Sequence, residues 1–405
     1  MKKTKRKQLK LLKIHLKAIF KVWVQLKILY VLPYDWGAMP QYTAELANAV
    51  SKYEEVTVIG SKDINKKYFS ERVEIIKTFD NFNFSMNNLK NLFSLKTLKS
   101  FFSFRSINII NTINPDIVHL TTPVIPPLSI YISLFKLDTK YKFVYTKHGI
   151  FSNSGFKEKI LEVYVLGFFE KLINFAKIIV HTQKDKDAFL NLKKANEETV
   201  AVIPHGTYSF FKNYGGCYPA EKDCILFFGN IREYKGLKYL IQAIPLILKE
   251  IPDLKVIIAG EGDISEFSSF IENNKSVFEV YNEFISDEKV SELFQRTEIV
   301  VMPYTKMSGQ SGILSVALAF NKPIVSSNVG GINEVVEDGI TGFLVPPQNS
   351  EALGDAIINI LKNDTLLSDM KSNLLDKSQE LSWDNIAKIH IELYSKLLSD
   401  SPKNN

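Results

Sequence analysis

The sequence predicts an α/β protein built from two doubly wound, Rossmann-like domains with a ligand cleft between them. Three observations lead there. Apolar runs of strand length alternate with helix-length segments, the pattern of a parallel sheet covered on both faces. Two of these runs, Lys27–Leu32 and Cys224–Phe228, each lead into a glycine-containing loop and then a helical segment, which is how a doubly wound unit opens. The chain of 405 residues is long enough for two such domains. A content of 45% hydrophobic and 23% charged residues excludes wholesale disorder. The two cysteines, Cys217 and Cys224, are too few for a disulfide scaffold or a structural zinc site and read as thiols of a cytoplasmic protein.

Residues 1–26 stand apart. Met1–Lys27 holds ten Lys or Arg and no acid, within a chain of net charge +6. At helical spacing Lys3, Arg6, Lys10, Lys13, Lys17 and Lys21 share one face, and Leu9, Leu12, Leu16, Ile19 and Trp23 the other. Such a helix lies on an anionic membrane surface. It is too charged to span a bilayer and lacks the apolar core and cleavage site of a signal peptide. A solvated basic tail and a helix packed on the protein are the alternatives. No basic surface interleaved with aromatic residues recurs along the chain, so nucleic acid is not expected as a partner.

The first domain is read as residues 27–206. Lys27–Leu32 is a buried strand, Pro33–Pro40 a loop containing Gly37, and Gln41–Ser51 a helix. No G-x-G-x-x-G follows the strand, so a nicotinamide cofactor gains no support. Val56–Ile59, Asp116–Leu120, Phe143–Thr146 and Ile178–His181 continue the sheet. Between them, Phe79, Phe82, Phe84, Phe93, Phe101, Phe102 and Phe104 are read as core, the alternative being an exposed ridge ringed by Lys90, Lys96, Lys99 and Arg105. His148 follows the strand ending at Thr146, at the crevice end of a parallel sheet where polar chemistry sits, and Gly149 lets the chain turn sharply there. His119, at another strand end, and His205, in Val202–Gly206, are further crevice candidates; His181 is a weaker one. Asp185-Lys186-Asp187 has the D-x-D form of some metal sites. It falls in a helix's first turn, where the dipole alone favours acids, so it is read as structural and no metal is expected.

Residues 207–223, with Gly215, Gly216 and Pro219, are read as a flexible linker. The second domain, 224–382, opens with the strand Cys224–Phe228, a loop to Gly236, and the helix Leu237–Glu250. Arg232 and Lys235 stand on that strand-to-helix loop, where their charges can reach a diphosphate. Lys255–Ala259 is a strand, Ser286–Arg296 a helix and Glu298–Met302 a strand. The small polar loop Ser308-Gly309-Gln310-Ser311-Gly312 follows, and then a helix, Ile313–Phe320. Free N–H groups and the positive end of the helix dipole make this junction a phosphate site. After the strand Pro323–Ser326, Gly330-Gly331 is expected to open another short helix onto the same crevice, whereas Gly339 and Gly342 read as plain turn residues. A closing helix spans Trp383–Leu398.

The stretch from Pro303 to Pro347 carries a resemblance. Gly330-Gly331-Ile332-Asn333-Glu334, Glu337-Asp338-Gly339, Thr341-Gly342 and Val345-Pro346-Pro347 resemble the nucleotide-sugar-binding half of the group 1 (family 4) glycosyltransferases of GT-B fold, and the likeness runs on from about Lys27. It implies retaining transfer of a sugar from a nucleotide-diphosphate sugar, a co-substrate in place of a cofactor, to a glycan or lipid-linked acceptor. It implies donor-binding roles for Gly37, Arg232, Lys235, Gly236, Gly309, Gln310, Ser311, Gly312 and Ile313. It also implies a catalytic, orienting role for His148, and it adds Glu334 to the crevice candidates. By the same likeness, residues 383–400 cross back onto the first domain. One departure stands out: most members carry two glutamates at the positions of Ser308 and Val316, so this chain resembles a branch without the pair. The basic amphipathic segment fits assembly of a bacterial surface polysaccharide at the inner face of the plasma membrane. A nucleotide-sugar epimerase on the same fold and a non-catalytic nucleotide-sugar-binding protein are the alternatives.

Overall fold

The computed structural model describes residues 25–34, 37–81, 94–150, 167–193 and 195–400. The basic N-terminal segment, Trp36, and the phenylalanines at 82, 84 and 93 lie outside them. Two parallel sheets carry the chain. The first has seven strands in the order β3-β2-β1-β4-β5-β6-β7: β1 (Lys27–Leu32), β2 (Glu55–Ser61), β3 (Val73–Phe79), β4 (Ile117–Leu120), β5 (Lys142–Thr146), β6 (Phe175–Val180) and β7 (Val200–Val202). The second has six in the order β10-β9-β8-β11-β12-β13: β8 (Cys224–Phe228), β9 (Lys255–Ala259), β10 (Phe278–Tyr281), β11 (Ile299–Met302), β12 (Ile324–Ser327) and β13 (Gly342–Val345).

The central strands are apolar on both faces because helices cover both sides; Ile28 to Leu32 of β1 and Cys224 to Phe227 of β8 are all buried. Strand order reverses between β1 and β4 in one sheet and between β8 and β11 in the other. A parallel sheet opens its ligand crevice at such a reversal, beyond the carboxyl ends of the strands. These four ends deliver the loop at Gly37, Thr121-Thr122, Gly229-Asn230, and the 303–311 segment.

The two halves are joined in three ways. At the start of residues 207–223, read from sequence as a flexible linker, Thr207 and Tyr208 are packed: Thr207 N–H donates to Leu381 O (3.0 Å), Tyr208 N–H to Ser315 O (3.2 Å), and the Tyr208 ring is buried. The Trp383–Ser399 helix lies against the Met39–Val50 helix of the first half. Tyr53 Oη donates to its Asp384 (2.9 Å), and Tyr394 Oη meets His119 Nδ1 (2.6 Å) beneath β4. Finally, Glu334 accepts from the N–H groups of Gln183 (2.6 Å) and Lys184 (3.0 Å), capping the Gln183–Lys193 helix across the cleft.

Gly330-Gly331 opens a short helix as expected, but only the single 3₁₀ turn Ile332–Glu334 and not an α-helix; Gly331 is small because Thr182 of the other half packs on it, 2.4 Å from where a Cβ would stand. Gly342 is no turn residue but the first residue of β13, pressed against Ile324 O of β12. Of the phenylalanine cluster, Phe79 and Phe104 are core and stack at 4.6 Å, whereas Phe102 is exposed.

Candidate active site

A cavity of about 410 Å³ opens at the reversal of the second sheet. One wall is the loop after β11, with Ser308, Gln310 and Ser311, and the first turn of the Gly312–Ala319 helix, with Gly312, Ile313 and Val316. The opposite wall is the loop after β8, with Gly229, Asn230, Tyr234 and Lys235. Tyr304, Met307, Tyr208, Phe211, Phe228 and Ala38 complete the lining, Ala38 coming from the first half. No Asp or Glu is among the described lining residues.

Lys235 supplies the positive charge. Its Nζ donates to Tyr304 Oη (3.2 Å), which in turn meets Ser311 Oγ (3.3 Å) at the N-cap of the Gly312–Ala319 helix. No carboxylate among the described residues pairs with it, and burial brings the ammonium down to about 8. Two glycines make room for it. Gly229, at φ +96°, would place a Cβ 3.0 Å from Lys235 Nζ; Gly236, at φ +71°, would place one 1.8 Å from Pro303 O. An unpaired buried cation is costly, and here it stands beside the unsatisfied N–H groups of a helix start that no side chain caps. Both features favour an anion.

Gln310 adds a second unsatisfied group. Its Oε1 accepts from His205 N–H (3.2 Å), which fixes the amide's orientation, and its buried Nε2 has no hydrogen-bond partner among the described residues. A buried donor without an acceptor is costly, and Gln310 is one of the residues that line the cavity. The N–H of Gly309 is already spent: it donates to Asp185 Oδ1 (3.2 Å), while Asp185 Oδ2 accepts from Thr182 Oγ1 (2.7 Å). The first acid of the D-x-D form therefore ties the two halves together, and Asp187 accepts from Gln183 (2.8 Å).

The other predicted residues sort clearly. Gly37 is exposed at φ +71°, and its neighbour Ala38 is the one that lines the cavity. Arg232 is exposed and does not line it; Asn230 and Tyr234, not singled out in the sequence, do. His119 is no crevice residue: it is fully buried, with Nδ1 on Tyr394 Oη and Nε2 on Thr146 Oγ1 (2.7 Å). It points into the interior because the Trp383–Ser399 helix covers the strand it sits on. His148 stands just behind the cavity's loop, its carbonyl against Gly309, where an added Cβ would lie 2.0 Å from His148 O. Both of its ring nitrogens are engaged, Nε2 on Thr121 O (2.8 Å) and Nδ1 facing His181 Nε2 (3.2 Å). Tyr42 packs edge-on against it and also meets His205 and Trp383, an aromatic group that the sequence did not reveal because its members are drawn from positions 42 to 383 of the chain.

Residues 39–207 match the family model described as Glycosyltransferase Family 4, and residues 222–363 the one described as Glycosyl transferases group 1. An uncharacterized glycosyltransferase of Methanocaldococcus jannaschii is 29% identical over 181 residues, 43% of this chain and 45% of that protein. The phosphatidyl-myo-inositol mannosyltransferase of Mycobacterium leprae is 26% identical over 193 residues, 46% of this chain and 50% of that one. The chain thus matches about half the length of these curated relatives. Among solved structures, a glycosyltransferase from Rickettsia africae superimposes with a TM-score of 0.68 at 21% identity, over 93% of this chain and 100% of that one. Anabaena HepE, solved in complex with UDP-glucose, does so with a TM-score of 0.65 at 17% identity, over 92% and 100%.

Proposed function

The chain belongs to the group 1 (family 4) glycosyltransferases of GT-B fold, and from that premise we propose that it moves a sugar, with retention at the anomeric carbon, from a nucleotide-diphosphate sugar to a glycan or lipid-linked acceptor. The observation that carries the reading is Lys235: a buried ammonium without a carboxylate partner among the described residues, linked through Tyr304 to the start of the Gly312–Ala319 helix. A leaving nucleoside diphosphate develops charge as the glycosidic bond breaks. Lys235 and the N–H groups at Ser311–Ile313 stabilise that charge from fixed positions, without a metal ion. Gln310 Nε2 meets a phosphate or sugar oxygen. Gly236 holds the backbone turn that delivers Lys235, and His148 buttresses the loop from the first half. The chain's likeness in fold to a HepE structure holding UDP-glucose supports a nucleotide-sugar donor.

A second reading, a non-catalytic nucleotide-sugar-binding protein, is favoured by the lining, which offers no carboxylate nucleophile among the described residues. Thermal shift against UDP-glucose, GDP-mannose and ADP-glucose tests donor binding, because a ligand selective for the native state raises its apparent stability. Release of nucleoside diphosphate in the presence of acceptor separates enzyme from binder, and release without acceptor marks an epimerase or hydrolase. Turnover is expected to persist in excess chelator and in Asp187→Asn. Activity lost with chelator and restored by manganese would overturn the metal-free assignment.

The placement follows from the N-terminal segment, outside the described residues. No described helix is long and apolar enough to cross a membrane. We propose that residues 1–25 hold the protein to the inner face of the plasma membrane, where a lipid-linked acceptor for surface polysaccharide is presented. Each basic residue contributes about 1 kcal/mol of attraction to anionic lipid, weakened by salt. Removing the segment is expected to abolish sedimentation with anionic vesicles at low salt and to leave the thermal transition nearly unchanged, because β1 begins only at Lys27. Full-length protein that ignores anionic vesicles would refute the anchor.

A further inference from the structure

Behind the cavity's loop, His148 and His181 form a pair whose hydrogen bonds require more protons than two neutral rings possess. His148 Nε2 lies 2.8 Å from Thr121 O, and His181 Nδ1 lies 2.9 Å from Ile203 O. A carbonyl only accepts, so both of these nitrogens must carry hydrogen. The remaining nitrogens, His148 Nδ1 and His181 Nε2, face each other at 3.2 Å. In two neutral imidazoles they would oppose lone pair to lone pair. Three contacts need three protons, and neutral rings bring two. His119 has no such problem, since its partners Tyr394 and Thr146 are hydroxyls that donate or accept as required.

We infer that the His148–His181 pair takes up one proton when a nucleotide-diphosphate sugar fills the adjacent cavity, and that His181 is the positioning residue which thereby locks His148. The proton completes an N–H···N bond between the rings, and its charge is balanced by the diphosphate on the far side of the Ser308–Gly312 loop. The surroundings supply little countercharge of their own. Tyr42 faces both rings from the Met39–Val50 helix, His205 faces His181 from the segment after β7, and His119 and His390 lie beneath. The nearby acid is Asp185, tied to Thr182 next to His181 and to Gly309. Without ligand, burial holds His148 at about 4 and His181 well below the usual imidazole range, so the resting pair is neutral at pH 7. Binding that raises these values favours the complex at low pH, and donor affinity falls as pH rises through the bound-state value. Lys235, at about 8, follows the same sign but is already largely protonated at pH 7.

This inference rests on the nucleotide-sugar reading, and the experiment tells the two apart. Calorimetric binding of UDP-glucose, GDP-mannose or ADP-glucose, whichever shifts the thermal transition most, is measured at pH 7 in buffers of different ionisation enthalpy. Net proton uptake is expected in the wild type and in Lys235→Met where binding remains measurable. His181→Gln, whose amide supplies a permanent N–H to His148, is expected to bind without uptake, and His181→Leu to bind at least several-fold more weakly. In ¹⁵N-histidine spectra the pair should change from two singly protonated rings to one with both nitrogens protonated on binding. Binding with buffer-independent heat, or rings that stay singly protonated in the complex, overturns the inference and leaves the functional reading intact. Failure of all three nucleotide sugars to shift the transition overturns both.

Discussion

Lys235→Met is expected to weaken nucleotide-sugar binding roughly 10- to 150-fold, the loss of one charge-assisted contact worth on the order of 1.5–3 kcal/mol, while making the ligand-free protein more stable. The two effects share a cause. The ammonium is buried beside Gly229 with Tyr304 as its hydrogen-bond partner among the described residues, and its pKa falls from 10.5 to about 8. Between those values the unfolded chain holds the proton that the folded chain has released, so folded stability rises with pH over that window. Below pH 8 the cation is present in both states and the cost of burying it is undiminished. A methionine of similar length removes that cost, and a gain on the order of 1–3 kcal/mol at pH 7, fading toward pH 10.5, is expected. Thermal melts at pH 7 and pH 9.5, with and without UDP-glucose, GDP-mannose and ADP-glucose, check this. A variant that loses stability at pH 7 yet keeps the wild-type ligand shift would remove Lys235 from the site.

What the sequence revealed and what it hid divide along a physical line. The strands it predicted, such as Lys27–Leu32, Cys224–Phe228 and Lys255–Ala259, lie inside their sheets and are apolar on both faces. The four it missed, Val73–Phe79, Val200–Val202, Phe278–Tyr281 and Gly342–Val345, are the four sheet edges. An edge strand has one neighbour and a half-exposed surface: Val73–Phe79 and Phe278–Tyr281 carry polar residues among their apolar ones, while Val200–Val202 and Gly342–Val345 are apolar but too short to stand out as buried strands. The site divides in the same way. Lys235-Gly236 and the Ser308–Gly312 loop were legible because each is a local strand-to-helix junction. Arg232 shared the junction but faces solvent, while Tyr304, one residue beyond a proline, became the partner of Lys235. Asp185 and His181 owe their roles to contacts with residues 124 and 33 positions away in the chain. No local pattern encodes such pairings.

Gly309→Ala tests the longest of these pairings. Gly309 sits at φ +79°, a left-handed conformation that costs an L residue about 1 kcal/mol, and its missing Cβ would lie 2.0 Å from His148 O and 3.1 Å from Gly149 Cα. The obstacle is backbone, so no rotamer change relieves it. The loop must instead retreat from the first half, breaking the Gly309 N–H bond to Asp185 and the Ile150 N–H bond to Ser308 Oγ (3.1 Å). Overpacking of this kind adds about 1–3 kcal/mol. Gly339→Ala is the matched control: its φ is +77°, but nothing lies within 4 Å of the new Cβ, so only the backbone term applies. Gly309→Ala is therefore expected to lower the thermal midpoint clearly more than Gly339→Ala. It is also expected to abolish the nucleotide-sugar shift that Gly339→Ala preserves, because Gln310 and Ser311 move with the loop. The outcome that would sink this account is a Gly309→Ala protein as stable as the control and still able to bind donor, which would mean that the loop's contact with His148 does not shape the cavity.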